Sequence, residues 1–323
     1  MNESKTYLDP KVLSRIAGLE LRARLVVEGT LSGRHRSPMH GFSVEFAEHR
    51  PYSPGDDLKH IDWKVWGRAD RYFVKLYEEE TNLRTYFLVD SSGSMRYRSA
   101  EMSKYDYGCT LAASLAYLLL MQQDAAALML FDSALREELP PGSSAAHLRT
   151  MCELMQKSDP AVRGSPTGSD ESDGSDCARR GTNIGPVLHE VAERIGRRSL
   201  VILVSDLLAP CPERLPAPAA EVIAGLNHLR YNRHEVIVWH VVDEAERTFP
   251  FDENVQFEGL ESDERVRADS RQMREAYLRE FNRFRTEIED ACGRLKADYC
   301  LADTSEPLDR TLSRFLASRM ERR

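Results

Sequence analysis

No apolar run in this chain approaches the roughly 20 residues that a membrane-spanning helix needs. The longest, 115–121 and 125–131, have the length of core elements. The N-terminus offers no basic stretch leading into an apolar one, so no secretory leader is expected, and the expected compartment is the cytoplasm. Cysteine is sparse. Its six positions (Cys109, Cys152, Cys177, Cys211, Cys292 and Cys300) form no C-x-x-C pair and no zinc-ligand spacing. That fits reduced thiols packed as small hydrophobes, with a Cys292–Cys300 disulfide the one pairing left open. Basic charge is also short: 44 Lys and Arg stand against 52 Asp and Glu, a net charge of −8. Broad nucleic-acid binding needs an excess of cations to displace phosphate counterions, so it is not expected, although local basic patches stay open. The enzyme signatures G-x-x-x-x-G-K-[ST], H-E-x-x-H and G-x-S-x-G are missing as well.

What is present is a globular composition, 41% hydrophobic and 30% charged over 323 residues, enough for one large domain or two ordinary ones. Residues 1–82 read differently from the rest. Apolar spacing predicts a helix over 11–28, and strands are expected at 45–49 and 72–77, around a stretch rich in Gly, Pro, His, Arg and Asp. From residue 83 to 323 strands and helices alternate. Strands are expected at 85–89, 125–131, 135–139, 200–204, 236–242 and 299–301. Helices are expected at 104–123, 145–157, from about Pro186, at 219–229, at 265–296 as one long element or a broken pair, and at 308–320. The segment 158–181 interrupts this pattern; its core, 164–176, has no large apolar residue and reads as a mobile surface insertion. The alternation predicts an α/β fold, a doubly wound, mostly parallel sheet of Rossmann type with helices on both faces, preceded by a smaller N-terminal subdomain that is β-rich or an extension of the main sheet.

Ligand sites in such sheets lie beyond the carboxyl ends of the strands. Three segments place oxygen-bearing side chains there: Asp90, Ser92 and Ser94 after the strand at 85–89, Thr182 before a helix, and Asp206 after the strand at 200–204. A hard divalent cation takes about six oxygens, and magnesium keeps some of its waters. One carboxylate and two hydroxyls on a single turn supply oxygens without satisfying the ion's charge, so room is left for one more acid. Ser92 or Ser94 as a nucleophile would need an adjacent base that this motif does not supply.

Asp-x-Ser-x-Ser, a later Thr and a later strand-terminal Asp resemble the metal-ion-dependent adhesion site of von Willebrand factor A domains, over about 85–320. The resemblance implies a von Willebrand factor A-like fold in which Ser92, Ser94 and Thr182 give hydroxyl oxygens to the metal. Asp90 and Asp206 would act directly or through water. Upstream, Glu45-Phe46, Arg50-Pro51-Tyr52, Pro54-Gly55-Asp56-Asp57, Ile61-Asp62-Trp63 and Glu78-Glu79-Glu80-Thr81 resemble the signature of the bacterial domain-of-unknown-function-58 family. That family couples the signature to such a domain and is commonly associated with MoxR-type AAA+ ATPases. The resemblance implies a non-enzymatic protein-binding module, an adaptor for such an ATPase in protein maturation or remodelling. It would hold magnesium, with manganese or calcium as alternatives, and a partner's Glu or Asp would complete the shell. Many relatives carry hydrophobic N-terminal anchors, and neither such an anchor nor a membrane span is expected here.

Other clusters have plainer readings. Asp56, Asp57, His60 and Asp62 fit a turn at Pro54-Gly55 better than a second metal cluster, and Trp63 and Trp66 fit packing positions. His189, His228 and His240 sit in helical or strand contexts and read as packed or exposed, and 267–294 as a solvated helix face. Two rival functions stand beside the adaptor: a metal-dependent hydrolase using the same oxygens, and a structural subunit with a degenerate site.

Overall fold

The computed structural model describes residues 44–51, 65, 72–79, 84–122, 124–160, 184–196, 198–208, 218–252, 254–261 and 265–321. They fall into two units, one within 30–82 and one from 83 onward. The first holds an antiparallel pair, β1 (Val44–Pro51) with β2 (Phe73–Glu79), irregular between Phe46 and Glu48. The expected strands at 45–49 and 72–77 fall on this pair. The helix expected at 11–28, and Asp56, Asp57, His60, Asp62, Trp63 and Trp66, lie outside the described residues.

The second unit begins with β3 (Arg84–Asp90), α1 (Lys104–Met121), β4 (Ala125–Phe131), β5 (Leu135–Gly142), α2 (Ala145–Lys157), α3 (Ile184–Arg194), β6 (Leu200–Ser205) and α4 (Pro218–Tyr231). It continues with β7 (Glu235–Val242), α5 (Glu244–Thr248), β8 (Asn254–Glu258), β9 (Arg265–Asp269), α6 (Ser270–Leu295), β10 (Asp298–Asp303) and α7 (Leu308–Glu321). Six strands make one sheet in the order β10-β7-β6-β3-β4-β5. All neighbours are parallel except β4 and β5. The mixed α/β architecture with a mostly parallel sheet therefore stands as expected.

β3 and β6 are buried on both faces, with apolar stretches from Tyr86 to Val89 and from Leu200 to Val204, and only Arg84 at the start of β3 is exposed. On one face Val187, Leu188 and Val191 of α3, Val222 and Leu226 of α4, and Ile288 of α6 pack on Leu88, Met129, Val201, Leu203 and Val238. On the other, α1 comes so close that a Cβ on Gly108 would stand 2.9 Å from Val204 Cγ1. α7 sets Phe315 against Trp239, ring centroids 5.0 Å apart. α1 is buried on nearly all sides because Tyr105 reaches Met155 O of α2 at 2.8 Å and Tyr107 meets Thr311 of α7 at 3.1 Å. From β3 the chain moves outward to β4 and β5, then returns to the other side of β3 as β6 and continues to β7 and β10. The strand order therefore reverses between β3 and β6, the place where a crevice opens at the carboxyl edge.

Several expectations are corrected. Residues Arg265–Asp269 do not open the long helix: they form β9, paired antiparallel with β8, and α6 starts at Ser270 with Asp269 accepting from the Arg271 N–H at 3.1 Å. Pro186 is the third residue of α3, where first-turn amides have no intrahelical partner to lose. β5 runs on through Pro140 and Pro141 to Gly142, tolerable because it is the sheet edge. Ser158 and Asp159 are buried, so the packed chain runs past the expected start of the insertion; 161–183 lies outside the described residues. Cys109, Cys152, Cys292 and Cys300 are free thiols, so the Cys292–Cys300 pairing is not made. Cys177 and Cys211 lie outside the described residues.

Candidate functional site

Asp90 ends β3 opposite Phe131 of β4, and Val89 pairs with Val204 of β6. The chain leaving β3 is tied to both neighbours. On one side Ser91 donates its N–H and its hydroxyl to Phe131 O, at 2.7 and 2.9 Å. On the other the Ser205 hydroxyl donates to Asp90 Oδ2 at 2.5 Å. Asp90 Oδ1 accepts the Ser92 N–H at 2.9 Å, closing an Asx turn that leads into a short 3-10 turn, Gly93–Arg96. That turn puts Ser92 Oγ and Ser94 Oγ 3.0 Å apart, within hydrogen-bond distance of each other.

Asp206 follows β6 on the adjacent strand. The Ser205 hydroxyl accepts the Leu207 N–H at 2.9 Å, and Asp206 Oδ1 accepts the Leu208 N–H at 3.1 Å. Leu207 takes a left-handed conformation, φ 58°, with its side chain buried. For a γ-branched residue that conformation costs about 1–2 kcal/mol. The two hydroxyl-to-amide and carboxylate-to-amide bonds hold the chain in it. Asp206 Oδ2 accepts from Lys104 Nζ at 2.8 Å, and the same ammonium reaches Glu246 Oε1 at 2.6 Å. Lys104 stands at the start of α1, just after the capping Ser103. Glu246 belongs to the capping box at Asp243 that opens α5, with Oε2 accepting the Asp243 N–H at 2.9 Å.

Asp90, Asp206 and Lys104 are all essentially without solvent contact. Burial, and then the negative charge of Asp206, push the Asp90 carboxyl up to about 7 in spite of the hydrogen bonds from Ser205 and Ser92. Burial alone would lower the Lys104 ammonium, but Asp206 and Glu246 hold it above its usual range. Burial raises the Glu246 carboxyl against the pull of Lys104. Two buried carboxylates at the ends of β3 and β6 thus repel each other, and Lys104, the buried ammonium among the described residues, bonds to Asp206. A second cation near Asp90 and the two hydroxyls would relieve that repulsion, and hard oxygen donors suit Mg²⁺, Mn²⁺ or Ca²⁺. The donor set fits such an ion. Among the described residues no group of three or more His, Cys, Asp or Glu side chains has metal-holding geometry; the oxygens gathered here are carboxylates and serine hydroxyls.

Of the five residues picked from the sequence, the structure brings together Asp90, Ser92, Ser94 and Asp206. Thr182 lies outside the described residues, just ahead of α3. Lys104, Ser205 and Glu246 were not singled out by sequence. One signal was there for Lys104: a lysine in the first turn of a helix opposes the helix dipole and calls for nearby acids. His240 is packed, as expected: its Nδ1 meets the Tyr299 hydroxyl at 2.7 Å, and burial pushes its imidazole down to about 4. His189 and His228 face each other, Nδ1 to Nδ1, at 2.7 Å.

The family described as "Protein of unknown function DUF58" matches residues 48–287, which take in β3, the Asp90 turn, Asp206 and the β8–β9 pair. The chain belongs to this family. An uncharacterized protein of Mycobacterium tuberculosis is 27% identical to this DUF58 chain over 257 residues, 79% of this chain and 72% of its own length. An uncharacterized protein of Mycobacterium bovis gives the same figures. Among solved structures, the conserved hypothetical protein BatB from Bacteroides thetaiotaomicron is 15% identical with a TM-score of 0.40, covering 74% of this chain and 99% of its own. An aerotolerance-related membrane protein from Bacteroides fragilis is 16% identical with a TM-score of 0.43, covering 73% and 99%. No helix among the described residues is long and apolar enough to cross a membrane.

Proposed function

We propose that this DUF58 protein is a metal-ion-dependent protein-binding module of von Willebrand factor A type, acting as an adaptor for a MoxR-type AAA+ ATPase. The observation that carries the reading is the meeting of Asp90, Ser92 and Ser94 with Asp206 at the point where the sheet's strand order reverses. Ser92 and Ser94 would hold the ion by their hydroxyls, joined by Thr182. Asp90 and Asp206 would act directly or through water, Asp206 with one oxygen already committed to Lys104. The bound cation supplies a Lewis-acidic position that accepts one further carboxylate. A partner's Glu or Asp would fill that position, since carboxylate oxygens are the ligands that hard divalent cations take. Because the oxygens come from two adjacent strand ends, occupancy would couple to the α1 start through Asp206 and Lys104.

Affinity capture from native lysate tests this, with the wild-type chain and Asp90→Asn as bait, in magnesium and then in chelator. An AAA+ ATPase retained by the wild type in magnesium, released by chelator and absent from the Asp90→Asn bait supports the adaptor. Retention that survives chelation undiminished refutes its metal-bridged form.

A further inference from the structure

Leu260 and Glu261, just after β8, lie on the Asp90 turn. Leu260 O is so close to Gly93 that a Cβ there would stand 2.7 Å from it and 2.9 Å from Glu261 Cγ. The Glu261 carboxylate accepts the Ser94 N–H at 3.0 Å, across 167 residues of sequence. This contact explains the glycine in Asp90-Ser91-Ser92-Gly93-Ser94, since any side chain at 93 would force the loop away. β8 is paired with β9, and Phe257 packs on Phe249 and Phe251 at centroid distances of 5.9 and 5.8 Å. Phe249 in turn packs on Tyr277 of α6 at 4.7 Å. A carboxylate on a braced hairpin thus stands at the backbone of Ser94, the residue whose hydroxyl pairs with that of Ser92.

We propose that Glu261 is the chain's own acid for this site, completing the shell of the bound cation until a partner's carboxylate displaces it. The inference rests on the metal-binding reading above. Its chemistry needs no covalent step: one carboxylate oxygen exchanges for another on the ion, and the Ser94 N–H is handed from Glu261 to solvent or partner.

Electron paramagnetic resonance titration of Mn²⁺ into the full chain tests it. Glu261→Gln is expected to weaken Mn²⁺ binding about tenfold, the scale seen when a ligand or its supporting acid is lost. Glu258→Gln, which removes a charge from the same hairpin at an exposed position, controls for simple electrostatics and is expected to stay within about twofold of wild type. Gly93→Ala, which keeps the carboxylate but drives the loop off the turn, is expected to weaken binding as Glu261→Gln does. Glu261→Gln binding within about twofold of wild type overturns the assignment while leaving the metal site standing. A wild-type chain that binds no Mn²⁺ overturns the metal reading itself, and this inference with it.

Discussion

Lys104 Nζ lies 2.8 Å from Asp206 Oδ2, and neither side chain meets solvent. A third group, Glu246, approaches the same ammonium at 2.6 Å. This triad joins the start of α1 to the end of β6 and to α5, so it fixes the side of the site where Asp206 stands.

Replacing Lys104 by Met leaves the buried Asp206 carboxylate and the mostly covered Glu246 carboxylate without their shared cation. A loss of about 3–5 kcal/mol is expected, the range for breaking a buried ion pair by removing one partner. Urea unfolding of Lys104→Met against wild type measures it. The combined Lys104→Met, Asp206→Asn, Glu246→Gln chain is expected to recover part of the loss, because the uncompensated charges go too. A single variant as stable as wild type would show that the triad does not hold the strand ends together.

Much of the fold was legible because the central strands are unbroken apolar runs, which only burial on both faces explains, and Asp90 and Asp206 stood out as acids placed right where such runs end. The triad was not legible, since its members are 102 and 142 residues apart in sequence and share no spacing. Glu261 was hidden for the same reason, and because the Arg265–Asp269 strand, charged at alternate positions and continuous with a charge-dense helix, reads as that helix's first turn. Five-residue elements such as α5 carry too few apolar positions for periodicity to declare them.

Gly108 makes a second structural test. Its missing side chain lets α1 approach Val204, and Gly108→Val is expected to cost about 1–3 kcal/mol by overpacking. The thermal midpoint should fall accordingly, more than for a valine at Gly196, where a Cβ meets nothing within 4 Å. Equal effects at both positions would contradict the close packing of helix on sheet.

His234 makes the fold sensitive to acid. Burial pushes its imidazole down to about 4, its Nδ1 accepts the Ser199 N–H at 3.3 Å, and its buried Nε2 has no hydrogen-bond partner among the described residues. Between 6.5 and 4 the unfolded chain binds a proton that the folded chain refuses, so stability falls as pH falls. The slope from this one residue is up to about 1.4 kcal/mol per pH unit. Denaturant titrations at pH 7 and pH 5 are expected to show a larger loss for wild type than for His234→Gln. Parallel losses would assign the acid sensitivity elsewhere.

The central claim, that Asp90, Ser92, Ser94 and Asp206 hold a divalent cation, is tested most directly by calorimetric titration of magnesium into the purified full chain, side by side with Asp90→Asn. Saturable binding at one site per chain is expected in the wild type and its loss in the variant. At a hundredfold excess over the dissociation constant, the wild type alone should gain about 2.7 kcal/mol of stability. No heat in the wild type with magnesium, manganese or calcium, or equal binding by Asp90→Asn, would contradict the account.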